Sequence, residues 1–534
     1  MTAKTLLLGN NQITGWIAEK LLEDGNELMI ASPRPQFEFS PESDAVIQSH
    51  EPATALLAGA TVVGCHGAFG DFTLRMVQNA ESFSCSAKLI VICEDIHRRP
   101  EFDVYGLRPS AFIVPLSQVT NGYKDDGGTD IVAGNSRTVV FLMGLLKESH
   151  PVIARDIMES ALRFQQKGKQ VYILTGNLKV AANGLETCYR ETRKAGVVYV
   201  KFTETRPEIK QTADLGVRIE FQDEILNQRV RLSPDLTIVD EALEPSDYLK
   251  HLIHIFELDA DLNGFAQADN VHRLSVLSNR RGILVAGQSR NIFSTQDQWT
   301  DAANTVLSSA VLKQFLAKGA LSYAEIDPGN CVRCLTCHRL CPYRAISVNA
   351  RVHIQPEACE SCGICIAECP RGAIHIKGPA LSDVQQAVDR IGEISRQTPF
   401  TPSIAAFCCS RSAFQAGKLA ACMGYEMPKG LKTIEVPCAG SVSIHHLLAG
   451  FQNGADGVLV LTCHKGNCHS EKGNLLAGQR VDHLKNVIEN MGMEADRLRV
   501  KTLASNMGAE FAQLVGAFEK GLLELGPSKL KPQD

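Results

Sequence analysis

From Lys4 onward, short apolar runs alternate with longer amphipathic stretches in the rhythm of strand, turn and helix. "KTLLLG" (4–9), "NNQITGWIAEKLLEDG" (10–25) and "NELMIAS" (26–32) predict a βαβ opening. Further strands are expected at "ATVVG" (60–64), "KLIVICE" (88–94), "RTVVFLMG" (137–144), "KQVYILTG" (169–176), "AGVVYVKF" (195–202) and "DLTIVDEA" (235–242). Helical periods fall between several of them, notably in "PVIARDIMESALRFQQKG" (151–168). Alternation of this kind predicts a mostly parallel sheet covered by helices. A second punctuated unit, residues 281–319, reads as a strand, a turn at Gly287, a polar loop and a long helix.

After residue 378 the pattern predicts a helix over "LSDVQQAVDRIGEISRQ" (381–397) and a linker at "TPFTP" (398–402). The last 130 or so residues return to a βα rhythm. Strands are expected at "SIAAFCC", "KTIEVPC", "GVLVLTC" and "RLRVKTLAS", and helices at "GNLLAGQRVDHLKNVIENMG" and "GAEFAQLVGAFEKGLLEL".

A chain of 534 residues predicts two to four domains. Its net charge of -5 leaves no basic excess to hold a phosphate backbone, so nucleic acid is not expected as a partner. No stretch approaches the roughly 18 uninterrupted apolar residues of a membrane span. "MTAKTLLLGNNQITG" lacks the long apolar segment and cleavage site of an export signal. The expected location is the cytoplasm, with any membrane association made through another protein of the same complex.

The 18 cysteines are unevenly placed: four lie before residue 331, eight between 331 and 369, and six between 408 and 468. Clustering in a chain without an export signal points to metal rather than to disulfides. Cys331, Cys334, Cys337 and Cys341, followed by Pro342, form C-x2-C-x2-C-x3-C-P, and Cys359, Cys362, Cys365 and Cys369, followed by Pro370, repeat it. This is the bacterial two-cluster iron–sulfur run, in which the fourth cysteine of each quartet serves the other cluster. Cys331, Cys334, Cys337 and Cys369 are expected to hold one 4Fe-4S cluster, and Cys359, Cys362, Cys365 and Cys341 the other. "CLTCH" also satisfies a haem-attachment pattern, but two further cysteines continue in register. Tetrahedral zinc has no use for a third cysteine in step. Two clusters close together are suited to relaying single electrons.

In the last segment Cys409, Cys438 and Cys463 each end an expected strand, and Cys468 follows in "CHKGNCHSEKGN". Strand ends of a parallel sheet share one edge, where open α/β folds bind ligands. Four sulfurs at one rim suit a 2Fe-2S cluster or a structural zinc equally well, and Cys408 or Cys422 could stand in for one of them. His464 and His469 read as turn and supporting groups. "CAGSVSIHHLLAGFQNGADGVLVLTCHKGNCHSEKGN", "AGQRV" and "LELGP" resemble the delta subunit of the methyl-viologen-reducing hydrogenase over about 130 residues. That resemblance implies one 2Fe-2S cluster, held by Cys409, Cys438, Cys463 and Cys468, and electron transfer towards heterodisulfide reductase. One departure is clear: the family's early segment reads like C-x-x-C, whereas "FCCSRS" places Ser412 at the second position.

A dinucleotide site needs G-x-G-x-x-G between strand and helix. "LLLGNNQITGWIAEKL" supplies Gly9, then Asn11 and Thr14 at the other two positions, with Gly15 one residue late. Ser32 stands where a ribose-binding acid is expected. The order of segments over residues 4–378 nevertheless resembles the heterodisulfide reductase A flavoproteins, through "LIVICEDIHRRPEFDVYGLRPS", "GLETCYRETRKAGVVYVKF" and "GILVAGQSRNIFSTQDQW". The resemblance implies FAD, with Gly9, Asn11 and Gly15 at the first loop and Gly282, Gly287, Gln288 and Gln296 at the second. Two departures are Cys93-Glu94, where the family tends to read Thr-Gly, and the absence of a cysteine-rich stretch after "VVFLMG". "VVGCHGAFGDF", with Gly64, Gly67 and Gly70, matches no phosphate fingerprint and reads as a turn, and His66, His97 and His150 read as turn or surface residues.

The fold class expected is therefore α/β. It comprises a Rossmann-like FAD/NAD(P)-type region (1–320, with a second nucleotide-type unit inserted over 136–250), a two-cluster 4Fe-4S ferredoxin domain (321–378), a helix and linker (379–400), and an open parallel α/β domain with a 2Fe-2S site (401–530). The combination resembles the B component of the quinone-interacting membrane-bound oxidoreductases. It implies an electron-transferring oxidoreductase subunit that works with partners. Those partners are a flavoprotein like heterodisulfide reductase A or its quinone-linked counterpart, proteins like heterodisulfide reductase B and C or the quinone-linked C component, or hydrogenase or dehydrogenase subunits. The alternatives are a flavin-free docking platform and an autonomous FAD-dependent reductase. G-x-x-x-x-G-K-[ST], H-E-x-x-H and G-x-S-x-G are all missing from the sequence, which sets kinase and hydrolase chemistry aside.

Overall fold

The computed structural model describes residues 5–121, 136–203, 205–223, 228–266, 275–292, 294–318, 322–348, 350–377, 387–388 and 400–528. Its first unit is a five-stranded sheet in the order Ile283–Val285, Leu89–Cys93, Thr5–Gly9, Leu28–Ser32, Thr54–Ala58, with every neighbouring pair parallel. Leu6, Leu7 and Leu8 are fully buried in its central strand. An uninterrupted apolar run is what a strand covered on both faces requires, and each such leucine stabilises the fold by about 2 kcal/mol. The helix Gln12–Glu23 follows at once; Asn11 caps it, its side-chain oxygen accepting from Thr14 N at 2.9 Å.

The expected "mostly parallel sheet" is more divided than the periodicity implied. "ATVVG" belongs to the strand Ala60–Ala68, which pairs antiparallel with Asp71–Gln78, itself antiparallel to Glu81–Ala87. "VVGCHGAFGDF" (62–72), expected as a turn, is instead mostly strand: residues 62–68 and 71–72 lie in the two arms of this hairpin, and only Phe69 and Gly70 make its turn. An apolar run does not announce the direction of its neighbour, so this pairing was invisible in the pattern. The chain then leaves by Ile96–Pro100 and returns by Glu241–Pro245, two strands paired antiparallel. Between them stands a second parallel sheet, ordered Val198–Lys201, Gln170–Thr175, Thr138–Met143, Leu236–Val239, Ile113–Pro115, beside a three-stranded antiparallel sheet, Glu208–Gln211, Val217–Asp223 and Gln228–Leu232.

Residues 322–377 form two short antiparallel ribbons, Tyr323–Ile326 with Ile374–Lys377 and Ile346–Val348 with Val352–Ile354, and two one-turn helices, Thr336–Leu340 and Ile364–Ala367. The last unit is a four-stranded parallel sheet, Leu431–Val436, Ile404–Cys409, Gly457–Thr462, Leu498–Thr502, flanked by the helices Ala413–Cys422, Ile444–Gln452, Gly473–Asn490 and Gly508–Leu525. The helix expected over 381–397 lies outside the described residues apart from Ala387 and Val388. Among the described residues no helix is long and apolar enough to cross a membrane.

Candidate metal centres and nucleotide-type crevice

The two cysteine quartets are built on matching backbone. Arg333 and Leu335 flank Cys334 with φ of 56° and 61°, and Ser361 and Gly363 flank Cys362 with φ of 52° and 76°. Left-handed residues on both sides of the middle cysteine curl each loop so that its thiols face inward. For three of the four this conformation costs a non-glycine residue about 1–2 kcal/mol, a strain characteristic of functional loops. The fourth cysteines then cross over. Cys331, Cys334, Cys337 and Cys369 line one small cavity. Cys341, Cys359, Cys362 and Cys365 line another.

Backbone amides are aimed at these sulfurs. Ala324 N donates to Cys359 Sγ and Ala373 N to Cys369 Sγ, both at 3.3 Å. Burial pushes the Cys337, Cys341, Cys362 and Cys365 thiols upward. A thiol held neutral by burial is a thiolate only when a cation compensates it, so these groups suit an iron site better than a free nucleophile. Cys334 is exposed and its thiol is held low, chiefly by a hydrogen bond with Thr336. Cys334 thus brings the first cavity to the surface, whereas the four cysteines of the second are half-buried.

In the last unit the strand ends converge as the sheet topology requires. Cys409 closes the strand Ile404–Cys409, Cys463 follows Gly457–Thr462, and Cys438 precedes the turn Ala439–Ser441, its sulfur accepting from Gly440 N at 3.4 Å. Their sulfurs form a chain of contacts, Cys409 to Cys463, Cys463 to Cys468, and Cys468 to Cys438. All four residues are buried. The Cys463 and Cys438 thiols are pushed up, and the Cys409 and Cys468 thiols are held down, Cys409 to about 6, because Cys409 accepts a hydrogen bond from Cys463 and Cys468 accepts from both Cys438 and Cys463. Such polarised contacts mark a pocket ready for thiolate ligation.

The two substitutes considered from sequence are elsewhere. Cys408 points to the opposite face of its strand, into the core with Phe511 and Val515, because side chains alternate along a strand. Cys422 is exposed at the far end of the helix Ala413–Cys422. Ser412 is brought to the site, where its hydroxyl lies against Cys409. His464 Nε2 contacts Met507 Sδ at 3.4 Å, and His469 packs beside Tyr343. Among the described residues no group of three or more His, Cys, Asp or Glu is placed to hold a single metal ion.

Sequence reasoning missed Gly440 and Gly473. A Cβ on Gly473 would lie 2.3 Å from Cys438 Sγ, and one on Gly440 would lie 2.8 Å from both Gly473 Cα and Ile364 Cγ1. Both glycines admit close approach at the sulfur pocket. They stand in the unremarkable contexts "CAGS" and "EKGN", so spacing alone could not have revealed them.

The second quartet and the last unit meet directly. Cys362 packs against Cys438, Cys463 and Cys468. Arg480, 8% exposed, latches the boundary: its guanidinium binds Glu368 at 2.8 Å and donates to the carbonyls of Gly440 and Val442. Tyr343 seals the same seam, its hydroxyl 3.0 Å from Ser470 Oγ. On the other side Cys341 and Cys359 pack against the core of the first unit, where Arg281 stacks 3.9 Å over Phe315 and bridges Glu360 at 3.0 Å.

In the first unit, Gly9 ends one of the strands that flank Leu89–Cys93 and Gly287 follows the end of the other by two residues, so both loops reach the same sheet edge. A Cβ on Gly287 would lie 3.8 Å from Cys93 Sγ, and Gln288 continues the same turn. Gly15 lets Phe39 pack at about 3 Å from its missing Cβ. Gly282 is not part of this edge. It precedes the strand Ile283–Val285, and its missing Cβ makes room for the Phe69 ring at 2.2 Å. Gln296 is exposed in the first turn of the helix Thr295–Lys318.

Two features of the edge fit the polar rim of a dinucleotide. Both amide atoms of fully buried Asn10 lack a partner, as does Glu94 Oε2. At the phosphate end, Asn11 Nδ2 instead donates to Asp95 at 2.8 Å, and Arg34 pairs with the same carboxylate at 2.8 Å. A pyrophosphate at the amino end of the helix Gln12–Glu23 would meet that carboxylate.

With the geometry in view, comparisons decide the kinship. Residues 404–526 match the family "Methyl-viologen-reducing hydrogenase, delta subunit", and residues 330–373 match "4Fe-4S dicluster domain". The iron-sulfur D component of the F420-non-reducing hydrogenase of Archaeoglobus profundus is 33% identical over 130 residues, which is 24% of this chain and 95% of that protein. Through this segment the chain belongs to the methyl-viologen-reducing hydrogenase delta family. The A component of the ferredoxin/F420H2-dependent CoB-CoM heterodisulfide reductase of Methanosarcina acetivorans is 25% identical over 452 residues, covering 81% of this chain. The chain spans 56% of that relative's length. Among solved structures, thioredoxin reductase of Lactococcus lactis aligns at 15% identity with a TM-score of 0.40, over 59% of this chain and 100% of that one. The polypeptide thus joins a heterodisulfide-reductase-A-like region, a 4Fe-4S dicluster domain and a hydrogenase-delta domain.

Proposed function

We propose that this delta-family fusion is an electron-transferring component of a heterodisulfide-reductase-like or quinone-linked complex, with donor and acceptor supplied by partner proteins. The observation that carries the reading is the packing of Cys362 against Cys438 across the boundary between the dicluster domain and the delta domain. Filled, the three cysteine sites supply one-electron carriers in a row. Cys331, Cys334, Cys337 and Cys369 hold the outermost site, Cys341, Cys359, Cys362 and Cys365 the middle one, and Cys409, Cys438, Cys463 and Cys468 a 2Fe-2S site. Tyr343, Arg480 and the two close-packed glycines keep water out of the seam between the last two.

FAD is the fourth cofactor in this reading, bound between the Gly9–Gly15 and Gly287–Gln288 loops. The unpaired Asn10 amide supports it. The Asp95 carboxylate at the phosphate end favours a second reading, in which the first unit is a flavin-free docking platform.

The test is anaerobic purification followed by iron, acid-labile sulfide and flavin assays, with EPR after stepwise reduction. The relay reading expects two 4Fe-4S signals that interact magnetically and a separate 2Fe-2S signal that Cys438→Ser abolishes. Colourless, iron-free protein that supports full activity in its native complex overturns it. Flavin released on denaturation separates the FAD-bearing form from the platform.

A further inference from the structure

Ser412 opens the helix Ala413–Cys422 from the N-cap position, where a serine ordinarily accepts a hydrogen bond from the backbone one turn on and stabilises the helix. It makes no such bond. Its backbone sits at φ −135°, ψ −87°, which turns the side chain away from the helix. The residue is 1% exposed, and Oγ meets no group of hydrogen-bonding geometry other than the Cys409 sulfur it lies against. The same residue is tied to Cys409 by its backbone, Ser412 N donating to the Cys409 carbonyl at 3.2 Å. A buried hydroxyl without a good partner destabilises the fold, and the forgone cap adds to that. A thiol is too weak an acceptor to compensate, whereas a thiolate is a strong one.

We propose that Ser412 is a positioning residue of the delta-domain site: when that site is filled, its hydroxyl donates to the Cys409 thiolate and raises the site's reduction potential, without ligating iron itself. The inference rests on the reading of the four cysteines as a 2Fe-2S site. A donated hydrogen bond withdraws electron density from sulfur and so favours the reduced state. Ser412 therefore keeps a polar group where a second cysteine is expected in the family pattern, but changes its task from binding to tuning.

The experiment compares anaerobic wild-type protein with Ser412→Ala by EPR-monitored redox titration, with iron and sulfide content measured in parallel. Ser412→Ala should keep the full iron and sulfide content and shift the delta-domain midpoint negative by about tenfold in the reduction equilibrium, near 59 mV for one electron. The two 4Fe-4S midpoints, unmoved, serve as the internal reference. In wild-type protein, electron–nuclear double resonance in H2O and D2O should show an exchangeable proton coupled to the delta-domain signal, and this measurement needs no variant. An unchanged midpoint, loss of iron from Ser412→Ala, or absence of that proton overturns the tuning role while leaving the site itself established. A wild-type protein without any delta-domain signal overturns the site and the tuning role together.

Discussion

Cys362 of the dicluster domain packs against the buried cysteine cluster of the delta domain that contains Cys438, although 76 positions separate the two residues in the chain. The seam is held by the Arg480 guanidinium, which ties Glu368 on one side to the Gly440 and Val442 carbonyls on the other.

Arg480→Ala should loosen this seam without touching a cysteine. Removing a buried guanidinium leaves two carbonyls unpaired, a loss of about 2 kcal/mol given that Glu368 remains partly hydrated. Iron content should stay at the wild-type level while electron exchange between the middle and delta-domain sites slows at least tenfold, read by rapid-freeze EPR after mixing with reductant. Unchanged exchange would show that the latch is dispensable.

Gly473→Ala is expected to empty one site only. The new Cβ would stand 2.3 Å from Cys438 Sγ and 3.5 Å from Cys468 Sγ, so the sulfurs must be displaced. The delta-domain signal should vanish and the 4Fe-4S signals remain, with iron falling by that site's share alone.

Asp95→Asn tests the crevice. The Asp95 carboxylate, held by Arg34 and Asn11, opposes an anionic pyrophosphate at the helix amino end. Neutralising it should increase FAD retained per chain, measured as flavin released on denaturation. A first unit that still holds no flavin after this change is a docking platform.

Glu94 predicts a pH dependence. Burial raises its carboxyl to about 7 from an ordinary value of 4.5. Between those values the folded chain holds a proton that the unfolded chain has released, so stability falls as pH rises from about 4.5 to 7. Glu94→Gln should leave the melting temperature nearly unchanged at pH 4.5 and raise it at pH 8, through a gain of up to about 3 kcal/mol. Equal shifts at both pH values would sink this account.

The cysteine grammar and the alternating rhythm were readable in the sequence because they depend on local spacing: thiols two residues apart can share a cavity whatever the rest of the chain does. The crossing of Cys341 and Cys369 into each other's cavities followed from the same spacing. Sheet direction did not, since "ATVVG" carries the composition of a parallel strand yet lies in an antiparallel hairpin. Gly282 misled for a related reason: its place beside the second loop suggested cofactor contact, but its φ of 83° and the Phe69 ring decide its identity. The uses of Gly440, Gly473 and Arg480 depend on partners far along the chain and could only be seen once the domains were packed.

The paired strands Ile96–Pro100 and Glu241–Pro245 are the doorway through which the chain enters and leaves its second parallel sheet. Because entrance and exit lie side by side, with Arg98 bridging to Glu241 and Arg99 to Glu244, that block joins the body through one paired ribbon among the described residues. Excising it and joining the ribbon with a tight turn would shorten the polypeptide by roughly a quarter while leaving the sulfur-lined interior untouched.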